Sequence, residues 1–178
     1  MKILIIADID DLRWKGGSGQ ADLLISCGDV SDPVILAAAE AYQCSQIYAV
    51  KGNHDFPAPY PPPIIDLHLH VDPYGGMAFG GFNGSWKYKS KGFYMYEQDA
   101  AMDLLKKFPP VDVFVSHNSP RGTHDKEDGI HPGFDALRSY IQSAKPKLLI
   151  HGHQHLNIET QFAETKVLGV YGHRLIEV

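Results

Sequence analysis

Cysteine is nearly missing: Cys27 and Cys44 are the only two in 178 residues. Two thiols cannot build the disulfide framework of a small secreted domain, so the chain reads as cytoplasmic, with free thiols in a reducing compartment. Long hydrophobic runs are missing too. The apolar start, Ile3 to Ala7, stops at Asp8, too short for a signal-peptide core and far too short to cross a bilayer. Positive charge is in deficit. Sixteen Lys and Arg against 21 Asp and Glu leave −5, which argues against long nucleic acid and anionic membrane as partners. No internal repeat recurs at a fixed period.

What is there suffices for one domain spanning 1–178. At this length a chain hides roughly 70% of its unfolded surface and needs neither disulfide nor metal merely to fold. Ten histidines in a cysteine-poor chain nevertheless make a metal site worth seeking.

Short β-branched runs predict buried strands at Lys2–Asp8, Asp22–Asp29, Gln46–Lys51, Val111–Ser116 and Lys147–Ile150. Asp32-Pro33 predicts an N-cap opening a helix over Val34–Tyr42. Further helices are expected at Glu97–Phe108, stopped by Pro109-Pro110, and at Phe134–Ser143, where Phe134, Leu137 and Ile141 share one face. Phe56–Pro63 carries five prolines and reads as a stiff extended loop. Ile64–Asn83 predicts two or three antiparallel strands, and Ile158–Val178 a terminal antiparallel meander. Mixed βαβ units and meanders imply an α/β fold of two sheets with helices outside.

Every strongly polar cluster follows the end of a predicted strand: Asp8-Ile9-Asp10, Gly28-Asp29, Gly52-Asn53-His54-Asp55, Ser116-His117-Asn118 and Gly152-His153-Gln154-His155. Ligands bind at the carboxyl ends of parallel strands, so five such clusters at one rim would gather Asp, Asn and His in one cavity. Carboxylate, amide oxygen and imidazole suit a pair of divalent ions of the manganese, iron or zinc type.

In that order these clusters resemble the pattern of the calcineurin-like metallophosphoesterases: D-x-H, GD, GNH[DE], a lone His, then GHxH. The resemblance implies a four-layer α/β/β/α sandwich, two mixed β-sheets flanked by helices. It also implies a dinuclear metal centre that hydrolyses a small phosphate ester. By the same resemblance Asp8, Asp10 and His155 bind the first metal, Asn53, His117 and His153 the second, and Asp29 both. His54 faces the phosphate, with Asn53 beside it. Position 10 departs from the pattern, with Asp where the family has His. A carboxylate there shifts preference toward Mn²⁺, Fe²⁺ or Mg²⁺ and away from softer, nitrogen-preferring choices; of Mn, Fe, Zn and Mg, Mn²⁺ is the expected occupant.

Two metals about 3.5–4 Å apart would neutralise the phosphate oxygens and hold a hydroxide between them. His54 is then the candidate to assist the leaving group, with Asp32 as its orienting carboxylate. Asp32 is equally readable as a plain cap. Arg121, in the long loop 118–132, is a candidate phosphate clamp or a surface charge. Diester preference rests on the resemblance and on the lack of length for a cap domain. The competing reading is a weakly catalytic or non-catalytic scaffold that keeps the fold.

Other polar residues have plainer readings. His68 and His70 alternate with Leu67, Leu69 and Val71 and are expected to face solvent. His124 and His131 lie in the long loop, as candidates for a substrate contact. Phe82–Tyr96 mixes aromatics with Lys87, Lys89 and Lys91 and reads as a half-buried strand with a lysine edge.

Overall fold

The computed structural model describes residues 1–178. Along the first half, β1 (Lys2–Ala7), β2 (Leu23–Ser26), α1 (Asp32–Ala41), β3 (Gln46–Ala49) and β4 (Ile65–Asp66) are followed by β5 (Val71–Tyr74) and β6 (Met77–Phe82). A two-stranded parallel pair comes next, β7 (Ser85–Trp86) and β8 (Met95–Tyr96), then α2 (Gln98–Leu105) and β9 (Val113–Ser116). The chain ends with α3 (Asp135–Ala144), β10 (Leu148–His151), β11 (Ile158–Phe162), β12 (Thr165–Gly169) and β13 (Gly172–Glu177). The two large sheets run in the orders β13-β1-β2-β3-β4 and β11-β12-β10-β9-β6-β5.

Alternation along β1 shows why the sheets stack. Ile3, Ile5 and Ala7 enter one apolar cluster, together with Ile25, Tyr48, Phe79, Val113, Val115 and Ile150 from both sheets. Leu4 and Ile6 point the other way, into a cluster with Val34, Ile35 and Ala38 of α1. Phe114 and Leu149 of the second sheet meet Ala101 and Leu105 of α2 and Leu137, Tyr140 and Ile141 of α3. The result is a four-layer α/β/β/α sandwich. Strands buried on both faces need the near-continuous hydrophobic runs seen here, and each buried Ile, Leu or Val contributes about 1.5–3 kcal/mol.

Three expectations change. In 64–83 only β5 and β6 form an antiparallel hairpin; β4 instead joins the first sheet, parallel to β3. The chain is delivered to that edge after the proline-rich loop, and Leu67 is then buried between the sheets. The tail is not one meander. β11 and β12 pair antiparallel, but β13 crosses to pair antiparallel with β1, covering what would otherwise be an open edge. At α1, Ser31 holds the cap position without a side-chain bond, and Asp32 is the first helical residue. The carboxylate of Asp32 is engaged elsewhere, by Lys51.

Candidate metal centre

The parallel strands β1, β2 and β3 of one sheet, and β9 and β10 of the other, end at a common rim. Asp8 follows β1, Asp29 lies three residues beyond β2, His117 follows β9, and His153 lies two residues beyond β10. Asp8, Asp29, His153 and His155 all have positive φ, between 52° and 62°. Such backbone costs side-chain-bearing residues about 1 kcal/mol or more each, and it persists because the turns are tied together. Asp29 N–H donates to Asp55 Oδ2 at 2.9 Å, Gly52 N–H donates to the same oxygen at 2.7 Å, and His153 N–H donates to Asp8 Oδ2 at 2.9 Å. Gly28, at φ +93°, lies so close to Gly52 that a Cβ there would sit 2.5 Å from the Gly52 nitrogen.

Ligand atoms of Asp8, Asp29 and His117 fall within 4.8 Å of one another. His117 Nδ1 is 2.8 Å from the Cys27 carbonyl, an acceptor only, so Nδ1 carries the proton. Nε2 therefore presents a lone pair, or a proton if the ring is charged, to Asn53 Oδ1 at 3.1 Å and Asp29 Oδ2 at 3.3 Å. Asn53 is turned this way by its amide nitrogen, which donates to the Tyr88 hydroxyl at 3.3 Å. Asp8 Oδ1 and His153 Nε2 are buried with no hydrogen-bond partner. At His117 a carbonyl holds one ring nitrogen while the other faces oxygen ligands, which is the arrangement of a metal-ligating histidine. The donor set thus fits divalent cations.

Without a cation the charges rearrange. Burial alone would lower His117, but Asp29 and Asp8 beside it raise it to about 9. Burial likewise opposes ionisation of Asp29, yet His117 and the His54 backbone N–H bring it down to about 2. Asp8 is raised by burial to about 6. His153, buried beside His117 and His131, is pushed down to about 2 and stays neutral.

The remaining residues read from the sequence are distributed as follows. His155 Nε2 is 3.6 Å from Asp8 Oδ1, and its ring stacks on Tyr171 with centroids 4.8 Å apart. Asp10 is exposed and borders a cavity of about 420 Å³ also lined by Asp29, Asp32, Lys51, His54 and Phe56. Neighbouring Asp11 is taken by Lys15 at 2.6 Å. His54 is exposed on that cavity. Asp32 makes no bond to it: Asp32 Oδ1 lies 3.3 Å from Lys51 Nζ, which also sits 3.6 Å above the Tyr60 ring. Arg121 is held among carboxylates, 3.0 Å from Glu127, 3.7 Å from Asp135 and 3.9 Å from Asp125, so a phosphate would have to displace them. His68 is half-buried, accepts from Asn83 N–H at Nδ1 and packs on Phe82 and Tyr96. Only His70 of that pair is exposed.

Lys51, Asp55 and Tyr88 were not singled out for the site by sequence reasoning, and His131 was read there only as a candidate substrate contact. Lys51 carried a signal, a lysine at the end of a buried strand directly before Gly52. Asp55 lay inside the motif. Tyr88 lay in 82–96, which forms only the short β7–β8 pair rather than one continuous strand and reaches the centre through Asn53. His131 is oriented by Asp128, 2.6 Å from its Nδ1, and lies against the His153 ring with centroids 5.2 Å apart.

The calcineurin-like phosphoesterase family profile matches residues 1–157. No curated protein matches the chain by sequence. Among solved structures, similarity extends to a phosphopantetheinyl hydrolase from Mycobacterium tuberculosis, with TM-score 0.61, 11% identity, and coverage of 96% of this chain and 89% of that one. The protein TT1561 of Thermus thermophilus aligns with TM-score 0.60 and 14% identity, over 96% of this chain and 89% of that one. A Vps29 mutant from Entamoeba histolytica aligns with TM-score 0.54 and 13% identity, over 100% of this chain and 86% of that one. With the ordered motifs, the two-sheet sandwich and the profile match over most of its length, the chain belongs to the calcineurin-like phosphoesterases.

Proposed function

We propose that the chain is a dinuclear, metal-dependent phosphoester hydrolase acting on a small phosphodiester in the cytoplasm, as one domain over 1–178. The observation that carries this reading is a set of inward-facing ligand atoms: His117 Nε2 against Asp29 and Asn53 oxygens, with Asp8 Oδ1 and His153 Nε2 buried and unpartnered. Asp8, Asp10 and His155 would hold one ion, Asn53, His117 and His153 the other, and Asp29 both. Such ions, when bound, neutralise phosphate oxygens and make water acidic enough to supply a nucleophile near neutral pH. Three carboxylates in the set favour Mn²⁺.

The chain's own residues do the rest. Asp29 is fixed from both sides, its N–H by Asp55 and its Oδ1 by the His54 N–H, so the carboxylate that would serve both ions is preorganised. His54 stands on the cavity wall with its imidazole uncommitted and is the group assigned to protonate the leaving oxygen. Asn53 orients the amide oxygen inward through Tyr88. Arg121 is held in reserve by its carboxylates. A phosphopantetheinyl hydrolase and a putative 5′-nucleotidase among the similar folds are consistent with hydrolysis of small phosphate esters.

The scaffold reading is favoured by one observation. Asp10 replaces the family His and lies exposed, with no bond into the cluster. Vps29 proteins share the fold. Metal analysis together with turnover of bis(p-nitrophenyl) phosphate and p-nitrophenyl phosphate in Mn²⁺ separates the readings. Two ions per chain, and diester hydrolysis lost by more than about 100-fold in Asp29→Asn, are expected. A folded chain that takes up no metal and turns over neither ester is a scaffold.

A further inference from the structure

Two histidines outside the ligand set, one buried and one half-buried, form a chain of hydrogen bonds that ends at the metal-ligand turn. His151 Nδ1 lies 2.9 Å from the Gly152 carbonyl, His151 Nε2 lies 2.8 Å from His124 Nδ1, and His124 Nε2 lies 2.8 Å from Thr160 Oγ1. The carbonyl can only accept, and that settles every proton. His151 carries its proton on Nδ1 and accepts at Nε2; His124 carries its proton on Nδ1 and accepts at Nε2; the Thr160 hydroxyl donates. Three elements are joined this way: the long loop bearing His124, β10 with His151, and β11 with Thr160.

The bonded carbonyl belongs to the Gly152–His153 peptide. The N–H of that same peptide donates to Asp8 Oδ2 at 2.9 Å. The peptide plane is therefore held at both ends, and its orientation sets φ of His153, which is +62°. A histidine relaxes readily from that region, and a turned peptide would carry the His153 imidazole away from His117, whose ring centroid is 5.0 Å distant. His124 is itself at φ +67°, so the loop accepts strain to present its Nδ1–H.

We propose that His124 and His151 are positioning residues for His153, acting through the Gly152 carbonyl, with Thr160 as the terminal donor. This rests on the reading of His153 as a metal ligand. The test is Mn²⁺ titration calorimetry on the chelator-stripped full chain. His124→Phe keeps a ring against His151 but has no N–H. His124→Asn places an amide N–H near the position of Nδ1 and tolerates positive φ. One of the two Mn²⁺ binding steps should weaken about 10–100-fold in His124→Phe and return to within about threefold of wild type in His124→Asn, with melting of the stripped protein little changed. Thr160→Val, on the exposed end, should weaken the same step about threefold and serves where His124→Phe does not fold. Wild-type affinity for both ions in His124→Phe, or in Thr160→Val where that variant stands in, overturns the proposal; so does a His124→Asn variant as weak as His124→Phe. A wild-type chain that takes up no Mn²⁺ removes the dinuclear reading itself and this inference with it.

Discussion

His117 Nε2 lies 3.3 Å from Asp29 Oδ2, and the other nitrogen of the ring is committed to the Cys27 carbonyl. The pair has two ways to be satisfied. With cations bound as proposed, both atoms would coordinate. Without them, the imidazole must keep a proton to meet the carboxylate, which is why His117 rises to about 9 and Asp29 falls to about 2.

A pH dependence of the metal-free fold follows. His117 binds its proton more tightly when folded, so its contribution is complete below its ordinary value of 6.5 and is lost as pH rises through about 9. Asp8 is also raised, so its contribution is complete below 3.8 and is lost as pH rises through about 6. Asp29 acts in the opposite sense: its contribution is present above 3.8 and is lost as pH falls through about 2. His153, lowered by burial to about 2, acts against Asp8 at acid pH: neutral when folded, it makes stability rise with pH up to its ordinary value of 6.5 and adds nothing above it. His151, lowered by burial to about 3, does the same. Above about pH 7.5 His117 dominates, worth on the order of 3 kcal/mol, and urea unfolding in chelator should show stability falling from about pH 7.5 to pH 9. Saturating Mn²⁺ should reverse that slope up to the pH where the ligands are fully deprotonated. Stability in chelator that rises over this range would show that the His117–Asp29 pair is not charged as described.

His54 and Asp32 should separate in their effects. The His54 imidazole ties down no ligand; only its backbone N–H reaches Asp29. His54→Ala should therefore keep both metals while turnover falls about 10²–10⁴-fold. Asp32→Ala removes the partner of a buried lysine, but the carboxylate is 30% exposed, so the cost should be about 1 kcal/mol. The pH–rate profile of Asp32→Ala should match wild type. A profile shifted like that of His54→Ala would restore the Asp32–His54 dyad that the sequence suggested and the Lys51 contact argues against.

Asp10 invites the reverse substitution. Asp10→His supplies the imidazole that the family pattern carries and would remove one carboxylate from the proposed first site. Competition titration should then show Zn²⁺ gaining on Mn²⁺ by about tenfold. Equal selectivity in both proteins would put Asp10 on the cavity rim and outside the coordination shell.

The strand ends were legible because their logic is local. A strand buried on both faces must be apolar, so the first Asp, Asn or His after it marks where it leaves the core, and Asp8, Asp29 and His117 do come together. Pairings across long separations were not legible. Nothing in Gly172–Glu177 announces β1 as its partner, nor does anything in Asp32 announce Lys51. His68 followed the alternation of an exposed strand face, yet the aromatic rings of Phe82 and Tyr96 cover it. The link from His124 to His151 spans 27 residues and depends on a loop conformation that composition does not encode.

Gly52 offers the sharpest test of how tightly the centre is packed. A Cβ at this position would lie 2.1 Å from Asp29 Oδ1 and 2.7 Å from the Asp29 nitrogen. A carboxylate alone can swing away, but the backbone nitrogen is held by Asp55. Gly52→Ala must therefore push the Asp29 turn outward, at a cost of about 1–3 kcal/mol, and must move the carboxylate proposed to serve both ions. Affinity for both ions should drop together by more than about 100-fold, in contrast to the single step weakened through His124. Calorimetry showing one step lost and the other intact would mean that Asp29 serves one ion only, and that the centre is not bridged by it.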